Sequence, residues 1–182
     1  MKRFFALCAL IVLSTGIGSS ARGQATDKSK RPSPAAHAEY QFGDGKTVIV
    51  DYSSPRANGR TVYGGLVPYG QIWRAGANEA TTFVTNTDLM VGGKAVPAGS
   101  YTIFVVPNKD KWTLIIQKKT GEWGVPYPGE ASELLRTDMK VSTLPSPLEN
   151  FTIGLDKTAS GCTLHMDWET TRASVDIAEG AK

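Results

Sequence analysis

From Glu39 onward, apolar and polar residues alternate with a period of two, the spacing of half-buried strands rather than of amphipathic helices. Residues 47–52 are β-branched and bounded by Gly45 and Ser53, and residues 81–85 are short and β-rich. Residues 88–91 and 94–96 flank Gly92 and Gly93, the pair of turn residues that closes a tight hairpin. Pro97 and Gly99 turn the chain into residues 101–106, and a second turn at Pro107 and Asn108 leads to residues 112–117.

The alternation is clearest further on. Leu135, Thr137, Met139 and Val141 face one way, and so do Phe151, Ile153 and Leu155. Cys162, Leu164, Met166 and Trp168 oppose Thr163, His165 and Asp167, and Ala173, Val175 and Ile177 complete the series. About nine short strands, frequent turns and no internal repeat predict an all-β fold. It is expected to be an antiparallel β-sandwich, jelly-roll-like, or a partly open barrel, with a long ordered loop. On this pattern Cys162 is a core thiol, and His165 is a surface histidine rather than a ligand.

The chain opens differently. Met1-Lys2-Arg3 precedes an apolar run from Phe4 to Leu13, and small and polar residues follow as far as Ala25. That order is the three-part form of a secretory signal peptide, with cleavage expected after Ala21 or Ala25. The apolar run is too short to span a bilayer, and no later segment approaches that length. Cys8 lies too near the start, behind bulky Leu7, to serve as a lipid anchor. The expected organisation is a signal peptide at 1–25, a flexible tether at 26–38 containing a solvated His37, one β domain at 39–178 and a disordered tail at 179–182. Export places the mature chain in the periplasm or outside the cell, with no membrane insertion after cleavage and with Cys162 as its sole cysteine.

Residues 53–80 break the strand pattern. They hold only one strand-like piece, at 61–63, and long ordered loops in compact domains are often functional. Arg56, Arg60 and Arg74 are three of the six arginines after position 25, and Tyr63, Tyr69 and Trp73 lie among them. Asn78 and Glu79 lead out of the loop. Guanidinium forks suit a carboxylate or phosphate, and flat rings suit the rest of a ligand or a sugar face. The candidate binding group is therefore Arg56, Arg60, Tyr69, Trp73, Arg74, Asn78 and Glu79. Its partner would be a small polar or anionic ligand, a carbohydrate, or a protein of the envelope. The structural alternative has Trp73 plugging one end of the fold and Arg74 paired with Glu79 or Asp51. A second aromatic segment, with Trp123 and Tyr127, either closes over the same site or caps the opposite end of the core.

The run from Gly65 to Thr81, GLVPYGQIWRAGANEAT, resembles the signature of the bacterial family called domain of unknown function 2911. Tyr52-Ser-Ser-Pro-Arg56, Gly59-Arg60, the run VPAGSYTIF at 96–104 and Trp168-Glu169 fit the same pattern. The resemblance implies a secreted, single-domain β protein. It carries no catalytic residue, since the family has no assigned activity.

Composition narrows the classes further. Hydrophobic residues are 41% and charged residues 20%, so the chain can build a core. Two cysteines and two histidines leave no basis for a disulfide scaffold or a metal site, and no cofactor is expected. Gly-x-Ser-x-Gly, His-Glu-x-x-His and Cys-x-x-Cys are all missing. A hydrolase using Glu79 and Asp51 as a carboxylate pair is the one catalytic alternative. The formal charge of +3 comes from Lys2, Arg3 and Arg22, so cleavage after Ala25 leaves the mature chain neutral. With lysines scattered rather than striped, nucleic-acid binding is excluded.

Overall fold

The computed structural model describes residues 30–180, so the segment expected to be a signal peptide, the start of the anticipated tether and the last two residues lie outside it. Nine strands form one antiparallel sheet: β1 (Ala35–Gly43), β2 (Lys46–Ser53), β3 (Thr82–Thr85), β4 (Leu89–Val91), β5 (Lys94–Val96), β6 (Gly99–Val106), β7 (Lys111–Gln117), β8 (Glu133–Lys157) and β9 (Gly161–Glu179). Their order across the sheet is β1-β2-β3-β6-β7-β8-β9-β4-β5. The β4–β5 hairpin turns through Gly92 and Gly93 at φ of 54° and 76°, a conformation that glycine adopts without steric cost. The expected all-β, antiparallel fold is the one observed, in its open, curled form.

Curvature comes from β8 and β9. At 25 and 19 residues they are far longer than an ordinary strand, and they cannot stay flat against a twisted sheet. Their pairing slips between Thr143 and Leu148 and again between Leu148 and Thr152, around Pro145 and Pro147. Glu169 sits at φ of 48° in β9. Beyond it the strand folds back far enough for Thr163 Oγ1 to donate to Asp176 Oδ1 at 2.7 Å. Bulges of this kind re-aim a strand, and here they carry the sheet around until β1 packs against β8.

The curled sheet encloses a core in which Trp112, Trp168, Phe83, Phe151, Met139 and Leu164 are fully buried. Alternation sends Phe104 of β6 and Ile115 of β7 to the opposite face, where they form a second small cluster with Ala80 and Tyr127. The segment between β7 and β8 covers that cluster, so β6 and β7 are apolar on both faces. Two boundaries differ from the expected ones. β1 begins at Ala35, inside the anticipated tether, and its Ala36, Ala38, Tyr40 and Phe42 pack on the core. At the other end Glu179 still belongs to β9, and the Gly180 amide donates to Asp88 O. Among the described residues no helix is long and apolar enough to cross a membrane.

Candidate functional site

The loop between β2 and β3 is held by its own backbone. Trp73 exchanges two hydrogen bonds of 2.8 Å with Val105, continuing the edge of β6 beyond the point where β3 stops pairing. Gly70 donates to Pro107 O at 2.9 Å, Ala77 to Ser53 O at 3.1 Å, and Ala80 to Glu122 O at 3.1 Å. Val62, Tyr63, Val67 and Ala75 are buried, so the loop brings its own share of core. The strand-like piece at 61–63 is not a strand; Tyr63 makes only an isolated bridge to Val67. Its ring packs edge-on against Trp112 at 5.0 Å, and its hydroxyl is buried without a partner, which raises its pKa well above the ordinary phenol value.

Trp73 is half-buried. It stacks on Trp168 with ring centres 5.9 Å apart and meets Phe151 edge-on at 4.9 Å. Its remaining face borders a cleft of about 390 Å³. Leu66, Ile72 and Val125 form apolar walls, and Arg60 and Arg74 supply the charge. Six large hydrophobic side chains are exposed among the described residues. Three of them are those wall residues, and Trp123 lies beside the cleft under Arg74. Such clustering distinguishes a binding surface from scattered surface apolar groups.

Arg74 has an unusual setting. Its guanidinium carbon stands 5.9 Å from the centre of the Trp123 ring. Nε is buried with no hydrogen-bond partner, and Arg74 forms no ion pair among the described residues. Burial lowers its pKa from the ordinary arginine value, with no nearby carboxylate to raise it again. The structural alternative for Arg74 is therefore corrected. Glu79 is bound by Arg31 at 2.9 and 3.0 Å, and Asp51 is taken by His37 at 2.7 Å.

Six of the seven residues of the candidate group separate into two sets, and Tyr69 belongs to neither. Arg60, Trp73 and Arg74 line the cleft. Arg60 is held in place because Nε donates to Ala57 O and a terminal nitrogen donates to Arg56 O. Arg56, Asn78 and Glu79 instead tie down the segment before β1. Arg56 donates to Ser54 O at 3.1 Å and reaches Pro32 O at 3.5 Å, Asn78 donates to Ser33 O at 3.0 Å, and Glu79 accepts from Arg31. Through this clamp Ser33 becomes part of the cleft wall. Tyr69 is exposed and packs against Gly64, outside the lining. Asp51 and Glu79 border a separate pocket of about 350 Å³, Glu79 engaged by Arg31 and Asp51 by His37.

The Trp123 segment closes over the same cleft, not the opposite end of the core. Gly124 and Val125 lie in its wall, and Tyr127 packs edge-on against Phe104 at 5.0 Å. The Tyr127 hydroxyl accepts from Gln117 and donates to Glu133, which also binds Arg136 through two nitrogens. Burial, then the bond to Glu133, pushes the Tyr127 pKa up to about 12.

Cys162 is a buried free thiol, pushed up to about 12 by desolvation. His165 is not the expected surface residue. It is 7% exposed, with Nδ1 3.1 Å from Asp167 and Nε2 3.3 Å from Asp156. Asp167 is itself bound by Arg172, so ion pairing covers a face that alternation assigns to solvent. The loop's own apolar residues Leu66 and Ile72 were missing from the candidate group. Their signal was large aliphatic side chains in a segment too irregular to bury all of them.

The family model described as protein of unknown function (DUF2911) matches residues 33–177, which include every residue of the cleft. No curated protein and no solved structure matches the chain.

Proposed function

Because the chain belongs to the DUF2911 family, whose description assigns no activity, we propose a function from the cleft itself: it binds a small carboxylate with an apolar body. The observation that carries this reading is Arg74, a partly buried cation with no anion of its own, set in a wall of exposed aromatic and aliphatic side chains. Burying a charge without a partner is costly, and a ligand carboxylate would supply the missing partner. The cleft has the size and the mixture of apolar wall and few polar groups typical of small-molecule sites. A sugar is the weaker candidate, because Asn78 and Glu79, the side chains suited to hydroxyls, are turned toward Ser33 and Arg31.

The test is a thermal-shift series on wild type and Arg74→Met. It uses aromatic and branched aliphatic carboxylates, their neutral amides, inorganic phosphate and monosaccharides. A carboxylate at a hundred times its Kd is expected to add about 2.7 kcal/mol to wild type. That corresponds to roughly 5–10 °C in a domain of this size. Amides should add little, and Arg74→Met should not respond. An equal shift in the variant, or a response to sugars alone, refutes the reading.

The proposal includes export, on the strength of the basic, apolar and small-residue order of the first 25 residues. Intact mass of the mature protein should give a chain starting at Arg22 or Thr26. A mature chain that retains Phe4–Leu13 would count against it.

A further inference from the structure

Next to the first cleft lies a second, of about 540 Å³, and Arg60 lines both. The second has the opposite charge: Glu149 and Glu169 stand in its wall, with Leu148 and Pro147 beside them. Neither glutamate forms an ion pair among the described residues. Each is fixed by one oxygen, which accepts a backbone amide: Glu149 from Asn58 at 2.7 Å, and Glu169 from Val62 at 3.2 Å. Arg60 also lines this cleft but forms no ion pair with either glutamate; two of its nitrogens donate to the carbonyls of Ala57 and Arg56. A positive subsite with apolar walls thus adjoins a negative one, each with charge left unpaired.

We propose that the ligand of this site is a short zwitterionic peptide. Its terminal carboxylate lies at Arg74, its apolar C-terminal side chain against Trp73 and Ile72, and its ammonium end in the cleft of Glu149 and Glu169. This inference rests on the ligand-binding reading above and names the class of ligand. A simple carboxylate would occupy only the first cleft and leave the two glutamates unused. A simple amine would occupy only the second cleft and leave Arg74 without an anionic partner. Only a molecule with opposite charges at its two ends complements both subsites, and charge complementarity of this kind sets register and selectivity.

The experiment is calorimetric titration of the mature protein with the tripeptide Ala-Ala-Phe, its N-acetyl form and its C-terminal amide. The variants are Arg74→Met and the double substitution Glu149→Gln with Glu169→Gln. Glutamine keeps an oxygen for the amides of Asn58 and Val62, so the loop retains its anchors, and a thermal melt checks that it does. Acetylation should weaken binding to wild type about fivefold or more, as expected for loss of a charge pair at a partly exposed site. The same acetylation should make no difference to the double variant. Amidation should weaken wild type strongly and leave Arg74→Met unaffected.

Equal affinity of the free and acetylated peptides for wild type, with amidation still harmful, would overturn the peptide assignment and leave the carboxylate reading standing. Binding of simple aromatic carboxylates with no binding of any peptide would do the same. Failure of every carboxylate and every peptide would overturn both.

Discussion

Arginine has two settings in this molecule, and they predict opposite costs for the same substitution. Arg172 binds Asp167 through two nitrogens, at 2.6 and 2.8 Å, and the carboxylate is 4% exposed. Arg172→Met leaves that carboxylate buried with only His165 near it, and should cost on the order of 2 kcal/mol. The figure is below that for an enclosed pair because the arginine is one-third exposed. Arg74→Met removes a cation with no anionic partner and keeps a side chain that packs on Trp123, so stability should be unchanged or raised by about 1 kcal/mol. Urea denaturation of the two variants measures both. A large loss at Arg74 would mark it as a structural post and weaken its role as a binding group. A residue that costs stability yet is retained in the fold is one sign of a functional site. From the sequence, the Arg-rich loop stood out because its residue types suit anions, and three of its seven candidates do reach the cleft. Arg56, Asn78 and Glu79 were indistinguishable from them in sequence. Their partners lie in residues 31–33, far from the loop in sequence and brought beside it by the pairing of β1 with β2.

At the scale of elements, the strands were legible wherever a period of two met a sharp turn. Residues 47–52, 81–85, 101–106 and 112–117 fall within one or two residues of β2, β3, β6 and β7, and the Gly92–Gly93 hairpin is β4–β5. What alternation could not show was continuity. The expected pieces at 135–141 and 151–155 are one strand, β8, and those at 162–168 and 173–177 are one strand, β9. In each case an irregular stretch separates the pieces, and the hydrogen bonds that carry pairing past it come from the neighbouring strand, not from local sequence. The Trp123 segment was recognisable as a loop, but its place over the cleft depends on contact with Arg74 and Ala80. Gly124 makes that contact possible. Its φ is 83°, and a Cβ there would stand 3.0 Å from Cβ of both Arg74 and Ala80. Gly124→Ala should cost about 1–2 kcal/mol, since it combines a left-handed backbone with a close approach. It should also shift the tryptophan emission, because Trp123 moves off Arg74, and it should weaken carboxylate binding. If the emission and the affinity stay at wild-type values, the loop does not form part of the site.

Across the whole molecule, the charged groups that fasten the curled sheet should set its response to pH. Glu133 is held below the usual carboxylate range chiefly by the hydrogen bonds of Arg136. Asp167 is raised by burial, but the bonds from His165 and Arg172 outweigh this and its net shift is downward. A carboxylate whose pKa falls on folding stabilises the native state above its unfolded pKa. That stability is lost as pH falls through the folded value. The acid limb should therefore begin below about pH 4, where unfolded carboxylates protonate. It should be shallower in Arg136→Gln, which removes the group holding Glu133 down. The alkaline side follows the opposite sign. Burial raises Tyr52, Tyr63 and Tyr127 above the ordinary phenol value, with Tyr127 at about 12. An acid whose pKa rises on folding stabilises the native state below its unfolded pKa, and that contribution declines as pH climbs toward the folded value. Stability should then fall from about pH 10 upward, with tyrosine ionisation and unfolding occurring together. His37, raised mainly by its bond to Asp51, adds only a weak decline as pH rises through its folded pKa, because both side chains are largely exposed. Denaturant midpoints measured across this range, with tyrosinate absorbance followed on the alkaline side, test the profile. Tyrosines that all ionise near pH 10 in a chain that remains folded would show that Tyr63 and Tyr127 are not enclosed as described.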